Sequence, residues 1–544
     1  MSAIKEHNST YKNSFHKHKG KSILFATIAA ASMLIFAAIA APITIINQAY
    51  AAQHVKPPAL AMMNSGPAPS IDNFNISDGY TIEPVMWNMS LPTALTWDDQ
   101  GNMYIAQSGF AEWLYDNPKI IKVDQSGNAS ILVDRFIYPP VTDIEFHEGK
   151  LYVSSKGVVS TVDPVTGLVK DIMIGLPSSG DHQNDQLAFG PDGRIYVTLG
   201  TATNSAIVGM DNILALQWPK YVPQFHDTPG KNVTLTGKNY VTPNPFTADP
   251  NDNATTGAYM PFGVPSQEGQ VVKGSPLCNG CIISANLDGS DVQLVAWGLR
   301  NPYGIAFTGD GKLVVSNNGA DERGSRNIAN DPDKVYVIDV SNPENMGKFY
   351  GWPDFAGNGE PVTDEKFKSA RANQTTELLI QNPPPVEKPL AMVNDGPSLT
   401  QVDISTSEQF GHVGMAFIGS SGTFTPITHE PNTVEEQVVG HNILMLDPAT
   451  GNYSKFISVK RYPDVFTPVG IAFNPEGNTM YIADIGRLEI RDTLPNGTPL
   501  PMTATWPYLG SGVIWKVTKT SSSAAETLPA VEGGQTTPIG NQTR

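Results

Sequence analysis

A unit of two alternating strands recurs along the chain. In each copy apolar and polar positions alternate, a turn of the Asp-Gly type follows, and a second alternating strand comes after it, which predicts a β-hairpin. A further strand pair around a polar turn follows each copy. Clear copies begin at Ala94, Asp143, Gln186, Gly304 and Gly470, and a degraded copy begins at Gly414. Four short strands per unit predict the blades of a β-propeller.

A ring of blades explains why both faces of these hairpins are partly apolar. Blades that pack face to face around an axis bury both faces and leave few open edges. We therefore predict an all-β fold, a six-bladed β-propeller of four-stranded antiparallel blades over about residues 78–520. The strand that begins at Gly512 is predicted to pair with the segment from Tyr80 and close the ring.

Two wide gaps interrupt the repeat. They run from about residue 201 to 274 and from about residue 357 to 411, and both are rich in polar residues, Pro and Gly. We interpret both gaps as long insertions at a rim of the propeller, although each could instead conceal a further blade. Beyond the propeller, residues 521–544 are rich in Ser, Ala, Thr and Gly and are predicted to form a disordered tail.

The N-terminal segment has the pattern of an export signal. Lysines precede an apolar stretch over residues 23–46, and Ala49-Tyr50-Ala51 has the small-x-small pattern of a cleavage site. We predict that residues 1–51 are a signal peptide. An uncleaved membrane anchor is the alternative, because about 20 apolar residues span a bilayer. Either way, we expect the bulk of the chain to be extracytoplasmic, secreted or at the cell surface.

Composition and charge narrow the classes of partner. The chain has 40% hydrophobic and 16% charged residues with 49 Gly and 44 Pro, which excludes a coiled coil or a helical solenoid. Its formal net charge of -17 argues against non-specific binding to nucleic acid. Cys278 and Cys281 flank Asn-Gly, so a local disulfide closing a hairpin is predicted, with a redox pair as the alternative. Asn-x-Ser/Thr sequons permit glycosylation of an exported protein.

Propeller topology brings distant polar residues together. Connections from an outer strand to the next inner strand cluster on one face, so residues before each repeat copy should line one pocket. Asp181-His182 precede the third copy, and Arg300-Asn301 precede the fourth. His182 is a candidate general base, held in one tautomer by a carboxylate or carbonyl; the alternative is a capped polar turn. Arg300 suits an anionic or quinone-type oxygen, with a structural ion pair between blades as its alternative.

A polar loop after the fourth copy is a candidate metal site. Gly319 and Ala320 offer backbone carbonyl oxygens, and Asp321 and Glu322 offer carboxylates. Ca²⁺ takes six to eight oxygen ligands of these kinds. The loop is therefore a candidate Ca²⁺ site, and a merely solvated acidic loop is the alternative.

Three segments resemble the glucose/sorbosone dehydrogenase family, which comprises six-bladed quinoproteins related to the soluble PQQ-dependent aldose dehydrogenases. They are GDHQNDQLAFGPDGRIYVTLG from Gly180, VAWGLRNPYGIAFTGDGKLVVSNNGADERGSR from Val295, and KFYGWPDFAG from Lys348. Together with the repeat, the resemblance covers about residues 90–520.

The resemblance implies roles for the residues that match. His182 would be the base that removes the proton of a sugar hydroxyl, with Asp181 as its neighbour. Arg300 and Asn301 would contact the quinone and the substrate. The loop from Gly319 to Glu322 would help to hold the Ca²⁺ that polarises PQQ.

The chain departs from the family pattern where catalytic members carry polar or basic residues. Val141-Thr142 replaces a Gln before the second blade, and Thr467-Pro468-Val469 stands in place of Arg residues before the last inner strand. A Lys of the fifth blade also has no evident counterpart. PQQ carries three carboxylates, which are costly to bury without cations. The residues that could substitute as cofactor-binding cations are Arg323, Lys460, Arg461 and Arg487.

Three functional hypotheses follow from these observations. The leading one is an exported PQQ- and Ca²⁺-dependent dehydrogenase that oxidises an aldose or related sugar alcohol and passes electrons to an acceptor that the sequence does not identify. The second is a catalytically inactive propeller that binds glycans or a protein at the cell surface. The third is a Ca²⁺-dependent lactonase-like hydrolase.

Overall fold

The computed structural model describes residues 63–520 with short interruptions. The residues left out within that range are 112–113, 136, 217, 250, 371, 395, 423–438, 461–465 and 494–498. The predicted signal peptide and the predicted tail lie outside the described residues. In the part of the chain that is described, no helix has the length and apolar character needed to cross a membrane.

The described residues are almost entirely β-structure, and six of their sheets contain four or five strands. This confirms the predicted all-β chain of four-stranded antiparallel sheets. The first sheet consists of Pro92–Trp97, Met103–Ala111, Leu114–Val123 and Ala129–Val133. The second consists of Val141–His147, Lys150–Ser155, Val158–Val162 and Val169–Ile174. The third consists of Asn184–Phe189, Ile195–Leu199, Cys281–Ala285, Gln293–Trp297 and the parallel strand Lys348–Phe349.

The remaining three large sheets follow in chain order. The fourth consists of Asn301–Phe307, Leu313–Asn318, Asp333–Ile338 and Ala391–Val393. The fifth consists of Leu399–Ile404, Ala416–Ser420, Asn442–Leu446, Tyr453–Val459 and Phe74–Ile76. The sixth consists of Pro468–Phe473, Thr479–Asp484, Gly512–Lys519 and Tyr80–Met89. The predicted pairing of the Gly512 strand with the Tyr80 segment is thus confirmed.

The turns of the repeat have the geometry that their sequence predicts. In the third sheet, the Pro-Asp-Gly turn places Gly193 at a φ of 74°, a conformation that side chains with a Cβ rarely adopt. The amide of Gly190 donates to the carbonyl of Arg194 across the same turn. The apolar positions of the flanking strands, such as Leu187 and Val197, are buried. Alternation and turn chemistry therefore specify the hairpin together.

The first strands of the six sheets lie side by side in cyclic order, each in contact with the first strands of the preceding and following sheets. Their inward N–H groups are edge donors, and side chains of the neighbouring sheet accept them. Asp143 accepts from the amide of Leu187 at 2.7 Å, and Asp403 accepts from that of Phe473 at 2.7 Å. Burial raises the pKa of Asp143 to about 7 and that of Asp403 to about 6. These carboxyl groups close a polar seam between the sheets.

The second gap in the repeat is only partly an insertion, which corrects the sequence-based interpretation. Its last part supplies Ala391–Val393 to the fourth sheet and Leu399–Ile404 as the first strand of the fifth. The degraded copy at Gly414 therefore contributes a second strand, Ala416–Ser420. The sequence pattern did not reveal the first strand because Gln401 and Asp403 interrupt its apolar alternation. Their side chains bond first strands of other sheets, Gln401 that of the second sheet and Asp403 that of the sixth.

The first gap is an insertion between the second and third strands of the third sheet, and it forms small elements of its own. A strand of this insertion, Val233–Thr236, pairs with Ile380–Gln381 from the second insertion. The remaining short strands are Asn239–Pro243, Asn253–Gly257, Glu268–Val272, Phe355–Ala356, Glu360–Pro361, Leu488–Thr493 and Pro499–Pro507. The short helices are Asp211–Leu216, Trp218–Lys220, Pro343–Asn345 and Glu365–Phe367.

Candidate active site

His182 lies in the connection that leads into Asn184–Phe189, the first strand of the third sheet. Its Nδ1 lies 2.9 Å from the carbonyl oxygen of Thr201, so Nδ1 carries the proton and Nε2 is the basic nitrogen. No described residue forms a hydrogen bond with Nε2. The sequence allowed either a carboxylate or a carbonyl to fix the tautomer, and in the structure the carbonyl of Thr201 does so. His182 therefore presents an unprotonated nitrogen from a fixed ring.

The surroundings of His182 favour its neutral form. Burial is the main cause and the charge of Arg300 the next, and against the opposing charge of Asp181 they lower the pKa of His182 to about 3. The imidazole is therefore neutral across the physiological pH range. A neutral imidazole can accept a proton without first losing one.

Asp181 is adjacent to His182 in sequence, but its carboxylate faces other partners. One oxygen accepts from Asn212 Nδ2 and Trp218 Nε1, both at 2.8 Å. The other accepts from Arg323 Nη2 at 2.8 Å. The side chain is completely buried. Asp181 thus influences the imidazole through its charge, while its hydrogen bonds hold the first insertion in place.

Arg300 is partly used by the fold and partly open. Its Nε donates to Asn204 Oδ1 at 3.1 Å, and its Nη2 donates to Asp321 Oδ2 at 2.7 Å. Its backbone amide donates to Asn317 Oδ1 at 3.0 Å. Its Nη1 forms no hydrogen bond with a described residue. The sequence left a structural ion pair and a ligand-facing cation as alternatives for Arg300. One guanidinium can serve both roles, because Nε and Nη2 bond the protein while Nη1 does not.

Asn301 places an unmatched acceptor beside His182. Its Nδ2 donates to Asn318 Oδ1 at 2.8 Å, whereas its own Oδ1 is buried with no hydrogen-bond partner among the described residues. A Cβ on Gly200 would lie 2.3 Å from His182 Cβ and 2.5 Å from Asn301 Oδ1, so these two side chains meet over a glycine. An unmatched buried acceptor costs about 1–3 kcal/mol.

The loop that begins at Gly319 offers backbone oxygens. The amide of Gly319 donates to Asp333 Oδ1 at 2.9 Å, and that of Ala320 donates to Asp331 Oδ2 at 2.7 Å. No hydrogen bond from a described residue ends on the carbonyl oxygen of Gly319 or Ala320. Within the described ranges, no cluster of three or more His, Cys, Asp or Glu side chains could hold a metal ion. The carbonyl oxygens of Gly319 and Ala320 are therefore not used in hydrogen bonds with described residues.

The two acidic side chains of the same loop have other partners. Asp321 Oδ2 accepts from Arg300 and Arg323. Burial acts to raise the pKa of Asp321, but the charges of Arg300 and Arg323 outweigh it and hold this pKa below its ordinary value. Glu322 Oε1 accepts from the hydroxyl of Ser369 at 2.6 Å. Each carboxylate thus has one oxygen bonded within the protein.

Arg323, a candidate cofactor-binding cation, is surrounded by protein carboxylates. Its three nitrogens donate to Asp181 at 2.8 Å, to Asp211 at 2.6 Å and to Asp321 at 3.1 Å. Burial opposes the charged form, but these carboxylates outweigh it and raise the pKa of Arg323. Its role is to tie the metal loop to the first insertion.

The other candidate cations lie elsewhere. Lys460 Nζ donates to the backbone carbonyl of Asp72 at 2.8 Å, next to the outermost strand of the fifth sheet, and its side chain is exposed. Arg461 lies outside the described residues. The guanidinium of Arg487 lies 5.8 Å from the ring centre of Tyr508. The structure does not bring Lys460 together with His182 and Arg300.

The two cysteines are joined by a disulfide in the structure. Between Cys278 and Cys281, the Asn279 side chain donates to the carbonyls of Pro177 at 3.0 Å and Gly200 at 3.2 Å. This turn therefore supports the backbone beneath His182. Both cysteines are fully buried.

Sequence reasoning missed two residues that hold the site together. Thr201 fixes the His182 ring, and Asn204 bonds both Arg300 and the Asp321 amide. The available signal was the polar run Thr201-Ala-Thr-Asn-Ser205 directly after a buried strand. Such a run has to be hydrogen-bonded if it is buried.

Comparison with known proteins bears on the fold and the family resemblance. No family model matches the sequence. Among solved structures, the calcium structure of a family AA12 carbohydrate-active enzyme from Trichoderma reesei superposes with a TM-score of 0.50 at 14% identity, covering 84% of this chain and 99% of that chain. The holo form of the pyranose dehydrogenase PQQ domain from Coprinopsis cinerea gives a TM-score of 0.49 at 13% identity, covering 84% and 99%. At 14% identity, the Trichoderma likeness shows a shared fold.

A curated relative is more specific. The chain is 26% identical over 341 residues to quinoprotein glucose dehydrogenase B of Acinetobacter calcoaceticus. The match covers 56% of this chain and 59% of that protein, so it spans less than two thirds of the relative. This finding supports the resemblance to the glucose/sorbosone dehydrogenase family that the three motifs indicate.

Proposed function

We propose that this protein is an exported quinoprotein dehydrogenase that uses PQQ and Ca²⁺ to oxidise an aldose or a related sugar alcohol. One observation carries the proposal: His182 and Asn301 meet over Gly200, and neither Nε2 of His182 nor Nη1 of Arg300 forms a hydrogen bond with a described residue. Alcohol oxidation needs a base for the hydroxyl proton and a cation that stabilises negative charge on oxygen. His182 would be the base and Arg300 the cation.

The proposed architecture is a six-bladed propeller over residues 78–520. The cyclic order of contacts between the six first strands supports it. We further propose that residues 1–51 direct export and are removed, and that residues 521–544 form a flexible tail. A membrane association would then require an uncleaved anchor at residues 23–46. A disulfide at Cys278 and Cys281 is in keeping with an oxidising compartment.

The residues present fit the quinone and metal ends of the cofactor. The carbonyl oxygens of Gly319 and Ala320 would ligate Ca²⁺, with the remaining ligands coming from the cofactor and water. Arg300 Nη1 would bind a quinone oxygen or a cofactor carboxylate. Because Arg323 already neutralises protein carboxylates, the Ca²⁺ charge matters more for accepting the anionic cofactor in this site.

The chain's own groups account for the proton and for the charge. PQQ supplies a two-electron acceptor for hydride when it is bound. His182 Nε2 accepts the proton of the sugar hydroxyl, while Thr201 keeps the opposite nitrogen protonated. Arg300 stabilises the negative charge that develops on oxygen. Asn301, which meets His182 over Gly200, would help to orient the sugar ring.

Cofactor reconstitution tests the proposal. Apo-protein titrated with PQQ and Ca²⁺ should gain a quinone absorbance and reduce an artificial electron acceptor when aldoses are added. Calorimetry that detects no PQQ binding, together with no dye reduction across a panel of aldoses, would reject it.

A second candidate is a propeller that binds glycans or protein without the cofactor. It is favoured by the use of Arg323 as a partner for three protein carboxylates, which leaves the site with less positive charge for an anionic ligand. In that case, sugars should bind to the apo-protein with an affinity that PQQ and Ca²⁺ leave unchanged.

A further inference from the structure

Asn204 lies at the centre of the hydrogen bonds that hold the candidate site. Its Oδ1 accepts from Arg300 Nε at 3.1 Å and from the amide of Asp321 at 2.9 Å. Its Nδ2 donates to the carbonyl of Asp321 at 2.7 Å and to that of Arg323 at 3.1 Å. The residue is 2% exposed. One side-chain amide therefore binds a guanidinium and the backbone of Asp321 and Arg323 at once.

The backbone of Asn204 is itself anchored. Its carbonyl oxygen accepts from Trp352 Nε1 at 3.0 Å. The hydroxyl of the next residue, Ser205, donates to the carbonyl of Arg326 at 2.7 Å, and Arg326 Nη1 donates back to the Ser205 carbonyl at 3.2 Å. Trp352 and Arg326 thus anchor the backbone of Asn204 and Ser205. A side chain fixed in this way can position others.

We propose that Asn204 is a positioning residue that holds the Arg300 guanidinium and the Gly319–Glu322 loop in a fixed relation to each other and to His182. Its catalytic significance rests on the proposed function, because Arg300 and this loop are the groups assigned to the quinone and Ca²⁺. The hydrogen-bond role itself does not depend on any cofactor.

Removal of the amide would release both partners together. Arg300 keeps its ion pair with Asp321 at 2.7 Å, but the Asp321 backbone loses its bonds to Asn204, so the pair can shift as a unit. The charges that influence the His182 imidazole are those of Arg300, Asp181 and Arg323. A displaced Arg300 should therefore change the titration of His182.

The test measures His182 by NMR in apo-protein labelled at histidine carbon. Arg300→Gln removes the Arg300 charge completely and sets the upper value of the His182 pKa. Asn204→Ala should raise this pKa to a value between those of the wild type and of Arg300→Gln. With PQQ and Ca²⁺, the same variant should bind PQQ at least about 10-fold more weakly and lose turnover in addition to raising KM. Asn204→Ser, which leaves a smaller cavity, provides a second variant if the alanine protein does not fold.

Asn442→Ala is the matched control. Asn442 is 3% exposed and donates to the carbonyl of Gly440 in the fifth sheet, so its loss has a structural cost without a link to Arg300. The proposal is overturned if the Asn204 variants titrate like Asn442→Ala. If the wild type fails to bind PQQ while Asn204→Ala still shifts the His182 titration, the proposed function fails and the positioning role stands.

Discussion

Buried carboxyl groups occur in two regions of this protein, and Asp321 in the candidate site differs in its pKa from Asp143 and Asp403 on the first strands. Along the first strands, Asp143 and Asp403 accept from amide groups, and burial raises their pKa values to about 7 and about 6. In the candidate site, Asp321 accepts from two guanidinium groups, and its pKa is held below its ordinary value despite burial. Amide dipoles replace only part of the lost hydration of a charge, whereas a full opposite charge can replace most of it.

The difference separates the scaffold from the site. Carboxyl groups on the first strands hold hydrogen bonds between sheets and can carry a proton while doing so. Carboxylates around Arg323 pair with its guanidinium and fix the loops from which His182 and Arg300 project. A network of buried ion pairs around Arg323 and Arg300 therefore holds the residues that carry His182 Nε2 and Arg300 Nη1.

The largest effect should come from Arg323→Ala. It leaves the buried carboxylates of Asp181 and Asp211 without their cation, which should lower the free energy of unfolding by about 3–5 kcal/mol. Urea unfolding at pH 7 measures this. Arg326→Ala is the matched control, because Arg326 pairs with Asp354 in a completely buried contact at 2.7 Å. Both substitutions should destabilise the protein, but only Arg323→Ala should alter the His182 titration. A loss below about 1 kcal/mol for Arg323→Ala would contradict the comparison.

The next effect is on catalysis. His182→Ala should lower turnover by about 100-fold or more, the usual contribution of a positioned base, while PQQ affinity changes little. Steady-state kinetics and PQQ titration of the same preparation measure both quantities. His412, whose ring lies 5.8 Å from that of Tyr80, is the control, and His412→Ala should keep its turnover. Equal turnover in the two variants would exclude His182 as the base.

A smaller effect concerns the pH dependence of stability. Because folding raises the pKa of Asp143 from 3.8 to about 7, the folded state binds this proton more tightly, and stability falls as pH rises from about 4 to about 7. Asp143→Asn removes that decline, which is at most about 1.4 kcal/mol per pH unit. Urea unfolding of the wild type and of Asp143→Asn at several pH values gives the slope of the free energy of unfolding against pH for each protein. A destabilisation by the substitution that is the same at every pH does not change this slope. Parallel curves would show that Asp143 is ionised in the folded protein.

The smallest effect should be at the surface. Lys312 and Asp310 form an ion pair at 2.7 Å with both side chains well exposed. Lys312→Ala should leave the unfolding midpoint unchanged within error, because water and salt screen exposed pairs. A clear destabilisation would show that charge pairing, rather than burial, produces the contrast between the two regions.

Much of this arrangement could be predicted from local pattern. Alternation and Asp-Gly turns are local properties, so the hairpins that begin at Gln186 and Gly304 were predicted at their positions. His182 and Arg300 were proposed as site residues because they precede first strands. Leu399–Ile404 was missed because polar residues there face neighbouring sheets, a relation that only the assembled ring creates.

The sequence by itself determined the all-β character and the pairing of the Gly512 strand with the Tyr80 segment, and it supplied His182 and Arg300 as candidates for the site. The tertiary structure alone decided which partner each charged group receives. Asp181 adjoins His182 along the chain yet bonds Arg323, and Asn204 reaches Arg300 across 96 positions. Hydrogen bonds and charge pairs act over a few ångströms in space, and the packing of sheets and insertions sets those distances.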